Sequence, residues 1–154
     1  MTFKVEVKGL ERLVRNLRDA PENLRDGFDR AVSEVAYKIL ATSRALLKSQ
    51  TGWLAGSGYV LRNGPVDYTV AFGASYAAAV EKGSKPHLIY PRQLGGVLRF
   101  EAGGQIVFTR GPVHHPGTWP QNYLEGSLEY WKPELLRVVK ENLTKWIKWS
   151  NDQG

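Results

Sequence analysis

The residues from Glu22 to Lys48 constrain the fold of this chain more than any other stretch. Leu24, Phe28, Val32, Val35, Ile39 and Leu46 recur at helical spacing, with Ala31 and Ala36 close by. Asp29, Arg30, Glu34 and Lys38 occupy other angles. Acidic residues crowd the first turns and Arg44 and Lys48 sit near the end, which suits the helix dipole. At 1.5 Å per residue such a helix is about 40 Å long. An apolar stripe of that length needs a sheet or a second helix to cover it, and the rest of the chain must supply one.

Upstream, Phe3 to Val7 alternates like a half-exposed strand, Gly9 ends it, and Leu10, Leu13, Val14 and Leu17 predict a short helix before Pro21. Downstream of Thr51 the glycines break the helical period. Tyr59 to Leu61 and Val66 to Phe72 read as two strands, with Asn63-Gly64 a hairpin signal that Pro65 lengthens. Residues 76–81 predict a short helix ended by Gly83, and His87 to Tyr90 a strand stopped by Pro91. Segments 97–101 and 105–109 form a second hairpin around Ala102-Gly103-Gly104. The prolines predict an irregular path from Gly111 to Gly117. Thr118 is placed to cap a final helix, Pro120 sits in its first turn, and Pro133 kinks or restarts it before Trp149.

The expected architecture is α+β: long amphipathic helices packed on one face of a twisted antiparallel β-sheet, with a C-terminal helix. A chain of 154 residues without cysteine is expected to form a single domain, 1–154. Its parts are N-terminal helices about 10–48, an antiparallel sheet about 57–110 and a C-terminal helix about 119–149. Apolar runs are only a few residues long, so no membrane span is expected, and the first residues lack a signal core; the expectation is a protein made in the cytoplasm.

Enzymatic chemistry finds little footing. His87, His114 and His115, with Glu81 and Glu101, are the candidate metal donors, yet adjacent histidines on an extended chain point to opposite faces. Gly56-Ser57-Gly58 lacks the pattern of a nucleophile elbow, and the paired glycines match no phosphate loop. The expectation is no enzyme, no cofactor and no metal.

Binding is better supported. The net charge of +6, with Lys82, Lys85, Arg92, Arg99 and Arg110 among Tyr76, Tyr90, Phe100 and Phe108, makes a small basic nucleic-acid-binding module the alternative reading. The two loops, 84–96 and 110–119, carry aromatic and imidazole side chains suited to gripping protein. The candidate protein-interface residues are His87, Tyr90, Arg92, His114, His115 and Trp119.

Four motifs in order add a family expectation: Gly9-Leu10-Glu11-Arg12-Leu13, Thr51-Gly52-Trp53-Leu54, Tyr76-Ala77-Ala78-Ala79-Val80-Glu81-Lys82-Gly83, and His115-Pro116-Gly117-Thr118 running to Tyr123-Leu124. Together they resemble the neck, or tail-completion, proteins of long-tailed bacteriophages. Ala55 to Gly58 departs from that pattern, as do Tyr123 and Lys132-Pro133. The resemblance implies a structural virion protein of the head–tail junction, assembling as a homo-oligomeric ring with connector and tail proteins, near packaged DNA. It implies no catalytic residues.

Overall fold

The computed structural model describes residues 22–48 and 52–152. The strand expected at 3–7, the helix expected at 10–17 and the first motif lie outside them.

Helix α1 spans Glu22–Leu46 and realises the predicted stripe. Phe28, Val32, Val35, Ala36, Ile39 and Leu40 are buried along one face, whereas Leu46, at the helix end, is exposed. A one-turn helix α2 (Trp53–Gly56) leads into the hairpin β1 (Gly58–Gly64) and β2 (Asp67–Phe72). Arg44 fixes that turn: its Nε donates to Ala55 O at 3.0 Å and its Nη2 to Gly58 O at 2.6 Å.

The hairpin lies on α1, with Val70 and Phe72 in the core. Its register runs from Gly58↔Phe72 to Arg62↔Tyr68 and shifts before Gly64↔Asp67. The reversal therefore sits at Pro65-Val66, not at Asn63-Gly64. Pro65 presets φ for the first turn position, and Val66 takes φ +61° at the next, where a β-branched residue is strained. Burial of the Val66 side chain to 6 % exposure helps to offset that strain. Asp29 anchors the tip, its Oδ1 accepting the Val66 N–H at 2.7 Å and its Oδ2 the Tyr68 hydroxyl at 2.8 Å. Asn63 instead bridges to Asp67 and Thr69.

Helix α3 (Ala77–Lys82) follows, then β3 (His87–Ile89), β4 (Leu98–Ala102), β5 (Gln105–Thr109), β6 (Val113–His115) and the 30-residue helix α4 (Tyr123–Asp152). Helix α4 runs antiparallel to α1: Trp131 Nε1 donates to Thr42 Oγ1 at 2.8 Å near one end, and Gly27 faces Asn142 near the other. The helix starts at Tyr123, after Pro120 and a left-handed Asn122, so Thr118 does not cap it. It continues through Pro133, whose missing N–H leaves the carbonyl of exposed Glu129 without that partner.

The fold is thus α+β: a long helix against a small antiparallel sheet and a C-terminal helix. The expected twisted sheet over 57–110 does not form. In its place are three two-stranded ladders, β1–β2, β3–β6 and β4–β5. Pro91 and Gly95-Gly96 separate β3 from β4, and Gly111-Pro112 separates β5 from β6, so the ladders do not merge. The segment expected to be irregular contains β6, because Pro112 and Pro116 flank three paired residues instead of interrupting them.

Candidate functional site

Two of the motif segments meet in one junction. At the end of α3, Glu81 is only 2 % exposed. Its Oε2 accepts the N–H of Leu124 at 3.0 Å and its Oε1 that of Glu125 at 2.9 Å, so the carboxylate caps the first turn of α4. The backbone adds Gln121 N–H to Val80 O and Asn122 N–H to Glu81 O. Tyr123 packs its ring edge-on to Phe72 at 4.9 Å and donates its hydroxyl to Ala77 O at 3.3 Å. Burial, then the nearby Glu81 charge, pushes the Tyr123 hydroxyl up to about 12. Lys82 pairs with Glu125 across the same joint, and that hydrogen bond raises its affinity for the proton.

Immediately beyond, Ser84 and Thr118 exchange both backbone hydrogen bonds, at 3.0 and 3.1 Å. The chains approach so closely that only glycine fits on either side. A Cβ on Gly83 would lie 2.6 Å from Thr118 O, and one on Gly117 would lie 2.3 Å from Ser84 O. Both glycines also hold positive φ, +75° and +89°.

From this clamp an arm, residues 85–117, leaves and returns. Not one residue from 82 to 122 is buried. The arm nevertheless carries Leu88, Ile89, Tyr90, Leu94, Ile106 and Phe108 exposed, and Trp119 stands 92 % exposed at its root. An ordered segment with this much apolar surface and no fully buried side chain is the candidate interaction surface.

The candidate residues fall on or beside this arm, but they do not form one cluster. His87 and His115 are direct cross-strand partners, with ring centroids 5.0 Å apart. His87 Nδ1 donates to Lys85 O at 2.8 Å, and His115 Nδ1 accepts the Gly117 N–H at 3.1 Å, which ties both rings to the arm's root. His114 pairs with Leu88 on the opposite face of the ribbon. Tyr90 and Arg92 follow β3 and are exposed.

Sequence reasoning singled out neither Leu94 nor Ile106 as exposed surface, named Phe108 only for the alternative nucleic-acid reading, and missed Glu81 as a cap, for which the one available signal was its place in the third motif. Among the described residues no group of three His, Asp or Glu side chains is placed to hold a metal ion. Ser57 donates to Leu54 O and accepts the Ala74 N–H, so its hydroxyl serves the α2 turn. No described helix is long and apolar enough to cross a membrane. Comparison with family models, curated proteins and solved structures finds no match to this chain.

Proposed function

We propose that this chain is a structural protein of a bacteriophage head–tail junction, acting as copies in a ring that joins connector to tail, without catalysis. The observation that carries the reading is the uncovered arm at residues 85–117, clamped at its root by the third and fourth motifs. In that reading the motifs resembling neck proteins are a mechanical device. Glu81, Gly83, Gly117 and Tyr123 weld the arm to two core helices, so that a load on the arm passes into α4 and from there to α1. Trp119, with Leu88, Ile89, Tyr90 and Leu94 of the arm, then buries against a neighbouring copy or a connector or tail protein.

The test uses particles of the encoding phage, with the gene replaced by Trp119→Ala and His115→Ala forms. The chain is expected in mature particles by mass spectrometry. The variants are expected to leave separate heads and tails in electron micrographs. Normal joining by both variants would overturn the role of the arm, and absence of the chain from mature particles would overturn the reading as a whole.

A further inference from the structure

We propose that the arm also binds duplex DNA, its β4–β5 hairpin lying in the major groove and its cations meeting the flanking phosphates. The starting observation is a segregation of charge. Residues 85–117 hold Lys85, Arg92, Arg99 and Arg110 against the single carboxylate of Glu101, which leaves +3 of the chain's +6 on the arm. The rest of the described residues sum to only +1, and there Lys38, Arg62, Lys82, Lys132 and Arg137 are each paired with a carboxylate. None of the four arm cations has a side-chain partner among the described residues. Unpaired guanidinium groups on an exposed ribbon match phosphate oxygens in charge and in fork geometry.

The register adds a face. Arg99 stands opposite Phe108, and Glu101 opposite Ile106, so these four side chains share one side of the hairpin, and all four are exposed. That set is chemically suited to the floor of a major groove: an arginine for guanine, a carboxylate for a cytosine amino group, and two apolar groups for thymine methyls. A two-stranded ribbon, its strands about 4.8 Å apart, fits a groove about 12 Å wide. The major groove of A-form RNA is too narrow to admit it, and the geometry therefore favours DNA. Arg110 follows the last residue of β5, at the hairpin's root and away from the Gly103-Gly104 tip, and Arg92 lies in the connection from β3 to β4.

This inference goes beyond the junction reading and is tested apart from it, on the purified full chain. Binding of a labelled DNA duplex of about 20 base pairs is followed by fluorescence anisotropy from about 50 to 200 mM salt. Three phosphate contacts, from Lys85, Arg92 and Arg110, with Arg99 on a base edge, predict a slope of log K on log salt near −2.7, a loss of affinity of roughly fortyfold across that range. The triple variant Arg92→Gln, Arg99→Gln, Arg110→Gln is expected to reduce the slope to about −1. A matched variant, Lys140→Gln, Lys145→Gln, Lys148→Gln, removes the same charge from exposed positions of α4 and is expected to keep the wild-type slope. An RNA duplex of the same sequence should bind at least about tenfold more weakly. Equal loss in the two triple variants, equal binding of RNA, or no DNA binding at the lowest salt would each overturn the proposal. The last outcome would leave the arm to protein partners, and the particle experiment would stand unaffected.

Discussion

Replacing Glu81 should cost this protein more stability than any exposed charge can. The carboxylate supplies acceptors to two N–H groups in the first turn of α4, and the residue is 2 % exposed, so water cannot easily take its place. In Glu81→Ala both donors lose their partner. At about 1–3 kcal/mol for each orphaned group, the expected loss is about 2–6 kcal/mol. A domain of this size has only about 5–15 kcal/mol in total. Glu81→Gln keeps the shape and one oxygen, which satisfies one N–H, but turns an NH2 group toward the other; about 2 kcal/mol is expected. Lys82→Ala removes the exposed, solvent-screened partner of Glu125 and should leave the midpoint almost unchanged. Urea denaturation followed by circular dichroism reads these losses as shifts of midpoint at constant slope. A midpoint for Glu81→Ala within about 0.5 kcal/mol of wild type, or a loss no larger than that of Lys82→Ala, would refute the cap as the joint between arm and helices.

Three further outcomes follow from the same geometry. Gly117→Ala would bring a methyl to 2.3 Å from Ser84 O at a φ of +89°, and a loss of about 2–4 kcal/mol by the same denaturation assay is expected. Ser43 is fully buried, and its hydroxyl has no hydrogen-bond partner among the described residues; Ser43→Ala should be neutral or stabilising by up to about 1 kcal/mol, read as a higher melting temperature. Tyr123 binds its proton more tightly folded than unfolded, with its value raised from 10.0 to about 12. Its contribution is therefore complete below pH 10 and declines as the pH rises toward 12. Midpoints measured across that window should fall by on the order of 2 kcal/mol, and Tyr123→Phe should flatten the decline.

Much of the fold was legible because its signals are local. The stripe on α1, the glycines at the tip of β4–β5, and Gly83 after α3 each act within a few residues, and the structure has them where periodicity and turn chemistry put them. What escaped depended on distant partners. No rule of sequence places a valine at φ +61°; Val66 adopts it because Asp29, on α1, holds its N–H and the core takes its side chain. Pro112 and Pro116 read as breakers, and only the pairing of His87 with His115 makes the residues between them a strand. Glu81 looked like a spare donor on an alanine-rich turn. Its role depends on a helix that begins some forty residues later. Of the candidate site, the residue types and the two loops could be read, but the clamp that turns those loops into one arm could not.

If the chain assembles as proposed, the arm sets a further condition. Ordering each residue costs about 1–2 kcal/mol, and residues 82–122 bury none of their side chains to offset it, so the order there rests on two short ladders and the clamp. In the proposed assembly, docking would supply that burial. Full coverage is worth about 1.5–3 kcal/mol for each of Leu94 and Trp119 and about half that for the half-covered Leu88 and Ile89, roughly 4–9 kcal/mol for one arm. Association costs about 4–15 kcal/mol in lost freedom, so a single docked arm is marginal. If each copy both gives and receives an arm, closing the ring adds one more contact without the loss of another free body, and assembly should be steeply cooperative in concentration. Sedimentation of the purified chain should then show monomers and closed rings with few intermediates. Trp119→Ala should leave the melting temperature of the monomer unchanged, because Trp119 touches no core, while loss of about 2 kcal/mol weakens every contact around the ring by about thirtyfold. A graded series of small oligomers, or a variant that melts early, would break the separation between a body that holds itself together and an arm that waits for its neighbour.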